Sequence, residues 1–323
     1  VTLKGVTTMT DESMYGIVTP VSQDESAGYV GGKYEVDKNV VSDKALRTIG
    51  AVRRAGRFIM AGMDAPLYPD SNDENVWAHW SRGNYGPGDW SGSHNDLAAG
   101  VDLYHTDHSR AGISVMHTNS SLDRTENLGE VSMKKKFTRV SLYGRHDFAG
   151  GLHAAGDVFA GGIRIKDTSL VDMSTRTAGV HAEVCVDVPA GRGTITPLVR
   201  AAYAGIRGFT TKDGEGFPFT MKESHYSSFS AGLKASLPLS PVSLLTAYAG
   251  WGIRTGYDID GTMSDAWNTM DISESGKEHV KTLGIGYRCD VTPFARLSLS
   301  AAREFSSGLH DDWNFQVSAA YKF

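Results

Sequence analysis

The chain has 323 residues, a formal net charge of −5, 37 glycines, 13 tyrosines and two cysteines. The acidic balance, with only one short basic stretch, excludes a nucleic-acid partner, and no apolar run reaches the about 20 residues of a membrane-spanning helix. A slightly polar mean hydropathy still admits membrane strands, because alternating lipid-facing and water-facing residues cancel in any averaging window.

Taken in chain order, residues 1–39 are polar, with Gly28, Gly31 and Gly32, and read as a tail and linker. The chain opens Val1-Thr2-Leu3-Lys4 with neither an initiating methionine nor an apolar leader, so it is expected to be the C-terminal piece of a longer precursor. Residues 40–70 change period. Ser42 and Asp43 form an N-cap and acidic first turn, and Leu46, Ile49, Val52, Ile59 and Met63 recur at helical spacing. Lys44, Arg47, Arg53, Arg54 and Arg57 make this helix basic, while Gly50, Ala51, Ala55 and Gly56 keep part of it slim. About 20 helical residues span roughly 30 Å, the hydrocarbon thickness of a bilayer. The alternative is a solvated linker helix, or one lying on anionic lipid.

Residues 71–323 read as about twelve alternating segments, each near the length a tilted strand needs to cross a bilayer. Val76, Ala78 and Trp80 share one face against Trp77, His79 and Ser81. Apolar rows follow at Leu97, Ala99, Val101 and Leu103, at Ala111, Ile113 and Val115, and at Thr138, Val140 and Leu142. The glycine-rich and alanine-rich fifth segment, from Leu152 to Arg164, is ambiguous. Clear rows resume with Ala178 to Val186, Pro197 to Tyr203, Phe229 to Leu237 and Leu245 to Trp251. The last three carry Leu283, Ile285 and Tyr287, then Leu297, Leu299 and Ala301, and finally Phe315, Val317, Ala319, Tyr321 and Phe323.

Connections alternate between long and short. Residues 84–95, 119–134, 210–224 and 255–277 are the long ones and 167–174 is intermediate, against 105–110, 147–151, 187–193, 238–241 and 290–293. That asymmetry predicts short periplasmic turns, long extracellular loops and an even strand count with both barrel ends in the periplasm. Charges keep to the other parity: Asp102, Arg139, Asp157, Glu183, Arg200, Lys234 and Arg296 point inward, as suits a wet lumen rather than a sandwich core. Cys185 and Cys289 fall on opposite faces, so no disulfide is expected between them.

No residue set has the spacing of a catalytic or metal signature. His105 and His108 lack a third ligand, Ser132 and Lys135 match Ser-x-x-Lys without companion motifs, and Gly28 to Lys33 lacks the spacing of a phosphate loop. His310-Asp311-Asp312 is read as a solvated loop. No enzyme activity, cofactor or metal is expected.

The terminal run from Trp313 to Phe323, with Phe315, Val317, Tyr321 and a final Phe323 on one face, resembles the C-terminal recognition strand of outer-membrane proteins. The order of parts from about Lys38 to Phe323 resembles the autotransporter β-domain, the type V secretion translocator. Its tryptophan-rich opening strand is matched by Val76-Trp77-Ala78-His79-Trp80-Ser81-Arg82-Gly83, and its next two strands by Leu97-Ala98-Ala99-Gly100-Val101-Asp102 and Ala111-Gly112-Ile113-Ser114-Val115. This chain has Trp77-x-His79 where that family often has Trp-x-Arg.

The resemblance implies a Gram-negative outer-membrane location, an all-β fold with a 12-stranded antiparallel transmembrane barrel, and an N-terminal α-helix plugging the lumen. The helix's basic residues would then face the lumenal acids Asp102, Asp157 and Glu183. Implied partners are outer-membrane lipids, the barrel assembly machinery, periplasmic chaperones and the chain's own upstream passenger. Relatives that release the passenger by self-cleavage carry adjacent asparagines, whereas this chain has the single Asn39 followed by Val40, so the passenger is expected to stay attached. A passenger-less porin or surface adhesin barrel is the alternative.

Overall fold

A computed structural model describes residues 2–4, 18–24, 31–36, 58, 63, 75–85, 91–126, 129–167, 173–212, 218–256, 259–264, 269–274, 276–306 and 312–322. Among these, twelve long antiparallel strands form one closed sheet. They are β1 (Val76–Tyr85), β2 (Ser91–His105), β3 (Ser109–Glu126), β4 (Gly129–Asp147), β5 (Leu152–Asp167) and β6 (Met173–Val186), then β7 (Gly193–Ile206), β8 (Ser224–Ser240), β9 (Ser243–Thr255), β10 (Lys277–Thr292), β11 (Ala295–Ser306) and β12 (Asp312–Tyr321). Each pairs with its chain neighbours. β12 pairs back onto β1, from Asp312 opposite Tyr85 to Tyr321 opposite Val76, so every ladder of the sheet has a partner and no edge faces lipid. A three-residue strand, Val188–Ala190, extends β6 and also pairs with β7.

The two faces of this sheet have inverted polarity. Leu97, Val140, Leu142, Val158, Leu233, Ile285 and Leu299 are all exposed on the outside. Arg110, Lys135, Arg139, Asp157 and His181 are buried within. An aliphatic outer wall around a charged interior is stable only where the surrounding solvent is lipid. The ambiguous fifth segment is a regular strand of the same wall, with Val158 outside and Phe159 inside.

Five short turns close one end, and the first and last strands also terminate there: the Asn75 N–H donates to the Tyr321 carbonyl at 2.9 Å. The turn between β4 and β5 relies on Gly150 and Gly151, both at φ 79°, a conformation that disfavours side chains. At the other end three expected loops contain strand. Residues 119–134 continue β3 and β4 as a projecting hairpin, paired as far as Glu126 opposite Gly129. The connections 207–223 and 256–276 supply the strands Phe209–Lys212, Pro218–Met221, Ile259–Ser264 and Thr269–Glu274, which pair in that order as a separate four-stranded sheet.

The N-terminal tail also contains paired strands: Gly31–Val36 lies between Thr2–Lys4 and Val18–Asp24. The expected helix falls outside the described residues except for Phe58 and Met63.

Candidate functional site

The functional candidate is the lumen wall of β1 to β6. Its periplasmic part is built on a bulge: the register between β2 and β3 shifts between Asp102 and Tyr104. Leu103 and Tyr104 therefore both face outward, while Asp102 keeps its inward direction. Asp102 Oδ1 accepts a 2.6 Å hydrogen bond from the Tyr143 hydroxyl. Its other oxygen stands 3.1 Å from His105 Nδ1 and 3.8 Å from the buried Arg110 guanidinium. The Trp77 indole N–H in turn donates to the Tyr143 oxygen at 3.2 Å.

Missing side chains make room for this network, since a Cβ on Gly100 would lie 2.5 Å from the Trp77 ring and one on Gly112 would lie 2.5 Å from Tyr143. Four strands are thereby tied together across two glycines. His79, at the position where this chain departs from the family pattern, stacks on Trp77 at 5.6 Å between centroids.

Further along the lumen two groups of wall residues reach the segment that precedes β1. The Lys135 ammonium, fully buried, donates to the Phe58 carbonyl at 2.8 Å and lies 5.0 Å from the Phe58 ring centroid. His181 Nδ1 lies 2.9 Å from Asp157 Oδ1, and His181 Nε2 lies 2.7 Å from the Met63 carbonyl oxygen. Phe159 stacks on His181 at 5.1 Å and carries the Arg139 guanidinium on its ring at 5.0 Å. A Cβ on Gly179 would sit 2.6 Å from that Phe159 ring. Phe58 and Met63 are both buried in this setting, so these two residues upstream of the first strand lie in the barrel interior.

The other wall is more open. Arg200 pairs with Glu183 and lies 5.8 Å from the Tyr248 ring, and Arg254 forms a two-point contact with Glu304. Ser300 and Lys234 face the lumen from this side without being buried.

The three lumenal acids are thus inward, and their described partners are barrel side chains: Tyr143, His105 and Arg110 for Asp102, His181 for Asp157, and Arg200 for Glu183. The basic residues expected to meet them, Lys44, Arg47, Arg53, Arg54 and Arg57, lie outside the described residues, as do Asn39, His310 and Asp311. Lys135 and His181, described side chains that do reach the upstream segment, were not marked for that role: Lys135 figured only in a Ser-x-x-Lys match without companion motifs, and His181 in no motif. Their parity in β4 and β6 gave the only signal, direction without target. Phe315, Val317 and Tyr321 are exposed along the outer face of β12, and Phe323 is outside the described residues. Cys185 faces the lumen, and both cysteines are free.

The sequence model of the autotransporter beta-domain family matches residues 75–302. No curated protein sequence matches the chain. Among solved structures, the transport unit of the autotransporter AIDA-I from Escherichia coli is similar, with a TM-score of 0.66 and 16% identity over 85% of this chain and 98% of that one. The β domain of the Bordetella autotransporter BrkA gives 0.60 and 15% over 78% and 100%. The translocator domain of NalP from Neisseria meningitidis gives 0.55 and 15% over 86% and 98%.

Proposed function

Because this chain belongs to the autotransporter β-domain family and is an outer-membrane translocator domain of the Gram-negative type, we propose that it brings a passenger segment, attached upstream of residues 40–70, to the cell surface and anchors it there. The single observation that carries this reading is the placement of Phe58 and Met63 inside the barrel, held by Lys135 and His181. A chain that runs through the lumen into β1, with β1 starting at the periplasmic end, has its upstream part at the opposite, outer end.

On this reading the energy for export comes from folding of the passenger outside, and the barrel does no bond chemistry of its own. Insertion would depend on periplasmic chaperones and on the barrel assembly machinery, which would engage β12 through Phe315, Val317, Tyr321 and Phe323.

The test places an epitope ahead of Val1, behind an export leader, and applies antibody to intact cells. Labelling without permeabilisation is expected. Labelling only after the outer membrane is opened, with the barrel folded, overturns the reading.

A further inference from the structure

On the outer face of β4 to β7 the side chains change from aliphatic to cationic toward the extracellular end. Val140 and Leu142 on β4 give way to Lys136 and Lys134, Val158 and Ala160 on β5 to Arg164 and Lys166, and Val180 and Ala178 on β6 to Arg176, with Arg207 just beyond β7. All six cations are exposed. The inward residues that alternate with them are buried, the apolar Met133, Phe137, Ile163 and Ile165 together with Lys135, which turns to Phe58 in the lumen, so the six exposed charges belong to the outer surface.

Strand register sets them against one another. Lys136 is directly opposite Arg164 and Lys134 opposite Lys166, while the Arg207 N–H donates to the Arg176 carbonyl at 2.9 Å. Adjacent strands are about 4.8 Å apart, and like charges directly opposite destabilise a ladder. Among the described residues, outward acids stand at two edges of the group, Asp123 opposite Ser132 and the exposed Glu223, which precedes the Ser224 that pairs with Ile206 and so stands beside Arg207, two acids against six cations. A concentrated cationic group at the upper border of an aliphatic wall is complementary to a multiply charged anion whose hydrocarbon tails run down that wall.

We propose that β4 to β7 form a docking surface for a phosphorylated glycolipid of the outer leaflet. Its phosphates sit among Lys134, Lys136, Arg164 and Arg176, where guanidinium groups bind phosphate oxygens in a two-point geometry, and its acyl chains lie along Val140, Leu142, Val158 and Val180. The inference needs only the outer-membrane placement and is independent of passenger export.

The full chain in detergent micelles is mixed with a bis-phosphorylated lipid A-type glycolipid or with the same lipid after phosphatase treatment, and bound lipid is counted by native mass spectrometry. Wild-type protein is expected to bind the phosphorylated form at least about tenfold more tightly. That preference is expected to disappear in Lys136→Gln/Arg164→Gln/Arg176→Gln and to persist in Lys277→Gln/Lys281→Gln, two exposed cations on the opposite wall. Heat-shifted gel migration certifies that each variant is folded, and the comparison of the two lipids on wild-type protein stands even if a variant fails to fold. Equal binding of the two lipids, an undiminished preference in the triple variant, or equal loss in the opposite-wall control overturns the proposal.

Discussion

Combining Lys135→Met with His181→Phe removes both described side-chain hydrogen bonds from the lumen wall to the upstream segment, the 2.8 Å contact to the Phe58 carbonyl and the 2.7 Å contact to the Met63 carbonyl. Both replacements are apolar and of similar bulk, so the wall stays filled while its donors vanish. A hydrogen bond from a charged donor contributes about 1.5 to 3 kcal/mol and a neutral one about 1 kcal/mol. Together the loss is about 2.5 to 4 kcal/mol, or roughly two to three orders of magnitude in the ratio of seated to displaced segment. The two stranded carbonyls add to this, because each is otherwise left in a dry site. Planar-bilayer conductance reads the outcome directly: wild-type channels are expected to stay mostly closed and the double variant to open frequently. Lys234→Met, on the open wall, should leave the closed state unchanged. A folded double variant with the closed-state occupancy of wild type would refute the reasoning that these two contacts seat the segment.

Two further outcomes follow from the wall itself. Gly100→Val places a Cβ where the Trp77 ring stands, 2.5 Å away, and should cost about 1 to 3 kcal/mol, read as a lower temperature for the gel-mobility shift, whereas Gly162→Ala, with nothing within 4 Å, should leave it unchanged. Leu299→Arg puts a charge on the lipid face and should lower stability in vesicles by about 2 to 4 kcal/mol near the midplane, while Ser300→Arg, one residue on but facing the lumen, should be tolerated. Equal effects in either pair would mean that the faces or the contacts are misassigned.

The wall was legible because lipid imposes a strict alternation: Val158 and Ala160 outside against Asp157 and Phe159 inside survive even in a glycine-rich strand. That constraint ends at the lipid boundary. Residues 119–126, Asn-Ser-Ser-Leu-Asp-Arg-Thr-Glu, contain one apolar residue, the buried Leu122, with polar residues at both parities around it, so the strand carries too little polarity contrast to set a period and reads as loop. In the outer sheet Thr210, Asp260 and Thr262 are polar too, and the apolar Phe219 and Met221 on its buried side sit in a strand of four residues, too short to set a period. Parity also fixes a side chain's direction but not its partner. Asp102, Asp157 and Glu183 have the parity of the inner face, yet their partners on neighbouring strands depend on register. The bulge at Asp102/Tyr104 is one such local shift that periodicity does not foretell. Lys135 enters the sequence reading only through a Ser-x-x-Lys match with Ser132 that has no companion motif, and its direction, opposite to that of Lys134 and Lys136, does not reveal its target.

The central claim, that chain upstream of β1 occupies the lumen of a membrane barrel, is tested most directly by thiol cross-linking in intact cells. Phe58→Cys is paired with Lys135→Cys in a protein whose Cys185 and Cys289 are replaced by alanine, and a short bifunctional thiol reagent is added. The account predicts an intramolecular cross-link in the folded protein that is absent when Lys135→Cys is exchanged for the outward-facing Lys136→Cys. Folded protein that cross-links through position 136 rather than 135, or through neither, would contradict it.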